Sequence, residues 1–151
     1  MIPYTNGPIL LVEDDANDII LTQRTLQKNR INNEIVVVRD GLEALDYLFN
    51  TGKYAGPLTL MPELVLLDLQ LPKLDGLQVL ELMKSEERTR RLPVIILTSS
   101  GNERDRIDSY GLGAISYIRK PVDFTEFFGA VCQRGLSWLV VNKLSSAAAY
   151  P

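Results

Sequence analysis

Short apolar runs alternate with helical patterns five times along this chain, and no other feature of the sequence restricts the fold as much. The runs cover residues 9–12, 34–38, 64–67, 93–97 and 115–119. Nearly continuous apolar strands are typical of parallel sheets that are buried on both faces. Because parallel neighbours need right-handed helical crossovers, the alternation predicts one sheet with helices on both sides.

The segments between these runs show the 3.6-residue spacing of amphipathic helices. Helices are expected after residue 15, from Asp40-Gly41, over about 75–87, over about 102–112 and from about Asp123. The predicted fold class is therefore α/β, a doubly wound (βα)5 sheet of the flavodoxin-like type with strand order 2-1-3-4-5. The residues predicted to face the core are Ile19, Ile20 and Leu26 in the first helix, Leu42, Leu45, Leu48 and Phe49 in the second, and Leu77, Leu80 and Met83 in the third.

The length of 151 residues suits one domain. Its predicted bounds are 8–143, with the last helix extended at its C-terminal end, between an N-terminal extension (1–7) and a tail (144–151). The formal net charge of −3 gives no long-range attraction for nucleic acid. No apolar run approaches the ~20 residues that cross a bilayer, and residues 1–8 lack a secretory pattern. With one cysteine, Cys132, these features favour a cytoplasmic protein.

The chain contains no histidine, and this excludes several kinds of chemistry. Ser-His-Asp and Cys-His catalysis, the usual zinc sites and a phosphohistidine donor all require that residue. Any reaction must therefore use carboxylates, hydroxyls, lysines or a metal ion.

Four of the predicted strands deliver polar side chains to their carboxyl ends. Glu13 and Asp14 follow strand one, Asp68 follows strand three, Thr98 follows strand four and Lys120 follows strand five. In a doubly wound sheet these ends share one edge, and ligands bind there. Carboxylates brought together repel one another, and a hard cation such as Mg²⁺ would compensate their charge.

Each of these residues alone has an ordinary structural explanation. The acids after strand one suit a helix N-terminus, and Asp68 suits a turn before Pro72. Their conjunction at one edge favours a functional site instead. A carboxylate can act as a nucleophile and form an aspartyl phosphate, and Asp68 is the candidate on the central strand. Mg²⁺ and Lys120 would neutralise phosphoryl charge, while Thr98 would donate a hydrogen bond.

The segments that carry these residues resemble the receiver domains of bacterial response regulators, over about residues 8–131. They are 10–15 (LLVEDD), 66–72 (LLDLQLP), 75–76 (DG), 96–100 (ILTSS) and 117–121 (YIRKP). The resemblance implies that Asp68 is the phosphoacceptor and that Glu13 and Asp14 are the acidic pair that binds Mg²⁺. It also implies that Gln70 offers a backbone carbonyl to the metal.

The same resemblance implies roles for residues on the last two strands. Thr98 and Lys120 match the hydroxyl and lysine of the family's phosphorylation site, and Thr98 with Tyr117 matches its conformational switch. The Lys120–Pro121 bond is implied to be cis, an isomer that proline makes accessible. Gln70 and Ser99 differ from the residue types that are common beside the site, which leaves the lifetime of a phosphorylated state open.

Three softer segments, 51–54, 120–123 and 135–142, resemble response regulators paired with bacterial and cyanobacterial phytochrome kinases. The implied function is that of a single-domain response regulator of a two-component phosphorelay. It would receive a phosphoryl group from a histidine kinase, and would be a signalling domain rather than an enzyme, although it would assist its own phosphorylation and dephosphorylation. An apolar extension of helix five, carrying Trp138, Leu139, Val140 and Val141, predicts a homodimer through that helix.

Three other functions remain open on the sequence. A phosphatase of the haloacid dehalogenase type needs a second Asp two residues after its nucleophile, where this chain has Gln70. A flavin mononucleotide carrier needs a Ser-, Thr- and Gly-rich loop after strand one, where this chain has Glu-Asp-Asp. A receiver-like scaffold that is never phosphorylated would not need the complete set of site residues.

Overall fold

The computed structural model describes residues 7–28, 31, 33–56, 60–99, 101–121 and 123–133. Its five strands form one parallel sheet in the order β2-β1-β3-β4-β5, which confirms the predicted fold class. The strands are β1 (Ile9–Val12), β2 (Ile35–Val38), β3 (Leu64–Leu67), β4 (Val94–Thr98) and β5 (Ser116–Arg119). The helices are α1 (Ala16–Lys28), α2 (Gly41–Phe49), α3 (Gly76–Ser85), α4 (Glu103–Gly111) and α5 (Phe124–Gln133), with a short 3-10 helix at Gly52–Tyr54.

The three central strands are buried on both faces, as their continuous apolar runs predict. Alternate residues point to opposite sides of the sheet and form two separate core clusters. Leu10, Val65 and Ile96 belong to the cluster under α2 and α3. Leu11 and Phe127 belong to the cluster that α1 and α5 cover. The sheet therefore gives a rigid frame whose strand ends are fixed in position.

The predicted core face of α2 is partly wrong. Leu42 is 50% exposed, whereas Ala44 is buried beside Leu48. The reason lies at the first residue of the helix, because a Cβ atom on Gly41 would approach the Leu74 carbonyl oxygen to 2.1 Å. This close contact turns the Gly41 side of the helix inward, and Leu42 consequently faces outward.

Smaller corrections apply to α1, α3 and β4. Ile20 is 46% exposed, so it does not share the buried face of Ile19. Val79 is buried, although the predicted stripe of α3 omitted it. That helix ends at Ser85, two residues earlier than predicted, and β4 includes Thr98.

The start of α3 is held against the segment that follows β3. The Gly76 amide donates to the Leu69 carbonyl at 2.9 Å. A Cβ atom at Gly76 would lie 2.2 Å from the Asp68 carbonyl oxygen, so only glycine allows this approach. Asp75 caps the helix through a capping box with Gln78. The residue after β3 is thereby fixed between the sheet and a helix terminus.

Several predictions concern residues outside those that the structure describes. They are residues 1–6 of the predicted extension (1–7), the tail at 144–151 and the apolar continuation of helix five with Trp138, Leu139, Val140 and Val141. Within the described ranges, no helix has the length and apolar character that a membrane span requires.

Candidate functional site

Backbone hydrogen bonds place three charged residues at one edge of the sheet. The Glu13 amide donates to the Val38 carbonyl at 2.9 Å, and the Asp68 amide donates to the Val12 carbonyl at 3.1 Å. The Lys120 amide donates to the Thr98 carbonyl at 2.8 Å. Each of the three residues directly follows a strand, so the sheet itself sets their positions.

Lys120 is the centre of the site. Its Nζ lies 2.6 Å from Glu13 Oε1, 2.8 Å from Asp18 Oδ2 and 2.9 Å from Asp68 Oδ2. The Lys120 side chain is 8% exposed. An ammonium group has three N–H donors, so each of these three carboxylates can accept one of them. Burial by itself lowers the pKa of Lys120, but the hydrogen bonds to Asp18, Glu13 and Asp68 outweigh it and raise this pKa above its usual value.

An acidic cluster adjoins this lysine. Carboxylate oxygens of Glu13, Asp14 and Asp68 lie within 4.8 Å of one another. Burial raises the pKa of Glu13 to about 7, and the charge of Asp68 adds to the rise, although the hydrogen bond to Lys120 opposes it. Asp14 is exposed, so the cluster opens toward solvent on that side. Closely spaced carboxylates with one open side suit a hard divalent cation such as Mg²⁺.

Gln70 lies next to the acidic cluster. Its backbone amide donates to Asp68 Oδ1 at 3.1 Å, and its side-chain oxygen accepts from Ser99 Oγ at 3.4 Å. An open groove of about 460 Å³ begins here, and Asp14, Gln70 and Asp75 line part of it. Both Asp68 oxygens therefore have a donor, one from the loop backbone and one from Lys120. The groove reaches the acidic cluster at Asp14.

Thr98 and Tyr117 lie on the last two strands. Thr98 is completely buried at the end of β4. Tyr117 is half-buried in β5, opposite Ile96, and packs against the core cluster under α2 and α3. The Lys120–Pro121 peptide bond is cis, as the sequence resemblance implied.

Asp18 is the site residue that sequence reasoning missed. It lies in the first turn of α1, beyond the acidic triplet at 13–15. The acids predicted for the site after β1 are Glu13 and Asp14, and Asp18 is not among them. Its place in the chain could have identified it, because a residue in the first turn of α1 lies near the carboxyl edge of the sheet.

Comparison with known proteins places these residues in a family context. The family model described as "Response regulator receiver domain" matches residues 9–131. The chain is 40% identical over 139 residues to "Response regulator Rcp1" from Synechocystis sp., a match that covers 92% of this chain and 93% of that protein.

Solved structures show the same similarity. "Bacteriophytochrome response regulator RtBRR" superposes with a TM-score of 0.83 at 45% identity, covering 92% of this chain and 84% of the other. The phosphorylated cyanobacterial phytochrome response regulator RcpA superposes with a TM-score of 0.73 at 41% identity, covering 89% and 94%. A structure described as the Mn(2+)-bound form of Rcp1 gives 0.73 at 38% identity, covering 90% and 99%.

Proposed function

This chain belongs to the response regulator receiver family and is related to phytochrome response regulators, and from that premise we propose that Asp68 accepts a phosphoryl group with the help of Mg²⁺. The observation that carries the proposal is the contact between Asp68 Oδ2 and Lys120 Nζ at 2.9 Å, beside an acidic cluster that is open to solvent at Asp14. An acceptor carboxylate is thus held beside a fixed cation.

The proposed reaction transfers a phosphoryl group from a phosphohistidine to Asp68. The P–N bond of a donor phosphohistidine breaks, and its electron pair stays on the imidazole nitrogen. One carboxylate oxygen of Asp68 forms the new P–O bond. Phosphoryl transfer requires positioning and charge neutralisation more than proton chemistry, and Lys120 provides both. The Lys120 ammonium would hold one phosphoryl oxygen, while the Thr98 hydroxyl would donate a hydrogen bond to another.

Glu13, Asp14 and Asp68 would hold Mg²⁺, together with the backbone carbonyl of Gln70. When bound, the ion supplies positive charge that offsets the carboxylates and the incoming phosphoryl group. The donor set supports this assignment, because carboxylate oxygens of all three acids lie within 4.8 Å of one another. A relative whose structure is described as Mn(2+)-bound gives further support.

We further propose that Thr98 and Tyr117 transmit the signal. A phosphoryl group adds about −1.5 to −2 charge at neutral pH, which would draw the Thr98 hydroxyl toward it. Tyr117 would then turn inward and change the face built from α4, β5 and α5. The half-buried position of Tyr117 supports this role, because the side chain packs against the core cluster under α2 and α3 and is also partly exposed to solvent.

The partner class is a sensor histidine kinase, as expected for a receiver domain. The names of the relatives favour a phytochrome kinase as the cognate donor. We also propose a cytoplasmic location, assistance by the domain in its own phosphorylation and dephosphorylation, a homodimer through helix five, and no nucleic-acid binding.

Intact mass spectrometry tests the proposal. The purified chain incubated with acetyl phosphate and Mg²⁺ should gain the mass of one phosphoryl group, and Asp68→Asn should not. Asp75→Asn is a matched control, because Asp75 lies nearby and asparagine also caps helices well. Equal gain in Asp68→Asn and wild type would overturn the assignment. Steady turnover of a chromogenic phosphate ester would instead favour a phosphatase.

A further inference from the structure

Asp18 has no role in the site as the receiver resemblance describes it, yet it contacts the central lysine. Its Oδ2 accepts from Lys120 Nζ at 2.8 Å, a distance between those of the Glu13 and Asp68 contacts. Asp18 belongs to a helix, and its own amide donates to Asp15 Oδ1 at 2.9 Å. The first turn of α1 therefore fixes the backbone of Asp18, from which its carboxylate reaches Lys120.

The position of Asp18 separates it from the metal-binding group. Among the described residues, the carboxylates that could share one ion are Glu13, Asp14 and Asp68. Asp18 approaches Lys120 from α1, and its side chain is 30% exposed, compared with 1% for Glu13 and 6% for Asp68. Asp18 therefore contacts the site through Lys120.

The three acceptors of Lys120 have different fates during phosphoryl transfer. When the Asp68 oxygen that contacts Lys120 becomes part of an acyl phosphate, the N–H group that pointed to it needs another acceptor, and a phosphoryl oxygen lies nearby. The other two N–H groups stay on Glu13 and Asp18 and fix the direction of the third. Without Asp18, a second donor of the ammonium group would be free to turn toward water.

From this geometry we propose that Asp18 is a positioning residue, which holds Lys120 so that one of its N–H donors points to the phosphoryl group on Asp68. This role rests on the proposed function of Asp68. It predicts an effect on the rate of transfer that passes entirely through Lys120. A role in tying α1 to the sheet would instead affect stability, whichever residue stood at position 120.

The experiment measures the initial rate of mass gain with saturating acetyl phosphate and Mg²⁺. Asp18→Ala should slow it about tenfold, because even a small misplacement of a group that contacts the reacting atoms lowers the rate. Asp18→Asn keeps an acceptor oxygen and should stay within about threefold of wild type. The Mg²⁺ concentration for half-maximal rate should not change in either variant, because Asp18 is not a metal ligand in this account.

A double-mutant cycle with Lys120→Ala separates positioning from a structural role. In that background Asp18→Ala should change the rate by less than about twofold, because the residue through which it acts is gone. Asp15→Asn is the control for charge, because it removes a nearby negative charge and keeps the oxygen that accepts the Asp18 amide.

Each outcome decides the matter. A tenfold loss in wild type that disappears in Lys120→Ala supports the role. A wild-type rate in Asp18→Ala, an equal loss in both backgrounds, or an equal loss in Asp15→Asn overturns it and leaves the proposed function standing. Absence of any phosphoryl gain in the wild type overturns the proposed function and this role together.

Discussion

Two lysine–glutamate pairs in this molecule have nearly the same length but different surroundings. Lys120 Nζ lies 2.6 Å from Glu13 Oε1, and Lys53 Nζ lies 2.7 Å from Glu43 Oε2. The first pair is buried, with side-chain exposures of 8% and 1%, whereas the Lys53 side chain is 66% exposed. The second pair lies where the 3-10 helix meets α2, and Tyr54 also donates to Glu43, at 3.0 Å.

The two glutamates respond in opposite directions. Burial raises the pKa of Glu13 to about 7 despite its lysine partner. Burial would also raise the pKa of Glu43, but there the hydrogen bonds from Lys53, Arg39 and Tyr54 prevail and lower it. Distance therefore does not decide whether a carboxylate is stabilised in its charged form. The degree of burial and the presence of further acids decide it.

The largest expected difference is in the effect of removing each lysine. Lys120→Ala leaves Glu13 and Asp68 buried without their cation, and should lower the free energy of unfolding by about 3 kcal/mol. Lys53→Ala removes a solvent-exposed charge and should leave the free energy of unfolding within error of the wild-type value. Urea denaturation at pH 7.5 with a chelator measures both. Similar losses in the two variants would mean that burial does not distinguish the pairs.

The second prediction concerns pH. Because the folded protein holds the Glu13 proton more tightly than the unfolded chain does, this group's contribution is fully present below about pH 4.5. It is lost as pH rises through about 7. In the metal-free protein, Glu13→Gln should therefore reduce the fall in unfolding free energy between these pH values by about 2 kcal/mol. An unchanged pH profile would contradict the raised pKa.

Glu43 should show the opposite dependence, with a smaller amplitude. Its pKa is lowered in the folded state, so its contribution is present above its ordinary pKa and is lost as the solution becomes more acidic. Glu43→Gln should reduce the fall in unfolding free energy at acid pH. This reduction should be several-fold smaller than the one that Glu13→Gln causes near neutral pH. The same denaturation series from pH 3 to pH 8 measures this effect. A change on the neutral side would contradict the assignment.

The smallest effect is that of salt. At 1 M ionic strength the Debye length is about 3 Å, which screens exposed charges and largely spares buried ones. Added sodium chloride should therefore leave the stability difference between Lys120→Ala and wild type almost unchanged. Any residual effect of Lys53→Ala should vanish under the same conditions. If the cost of Lys120→Ala vanished as well, the site would be more solvated than its 8% exposure indicates.

Much of the fold could be predicted because strand burial is visible in the sequence. The run at 64–67 is apolar at every position, and the structure buries all four residues. The face of α2 could not be predicted in the same way, because it depends on Gly41 approaching the Leu74 carbonyl. That contact is made between distant segments, and a helical pattern rich in leucine does not reveal which leucine faces outward.

The candidate site was predictable to the extent that it depends on strand ends. Glu13, Asp68 and Lys120 directly follow strands, so the topology alone brings them to one edge. Asp18 depends instead on the direction of a helical side chain, and nothing in the residue types distinguishes it from a solvent-exposed helix acid. The packing of α1 against the sheet brings Asp18 into contact with Lys120.

The most direct test of the central claim is to locate the phosphoryl group on the chain. Borohydride reduces an aspartyl phosphate to homoserine, which peptide fragmentation can assign to one residue. After incubation with acetyl phosphate and Mg²⁺, the conversion should occur at Asp68 alone. Homoserine at Asp14 or Asp18, the alcohol one methylene longer at Glu13, or an unmodified Asp68 in a chain that has gained phosphate, would contradict this account.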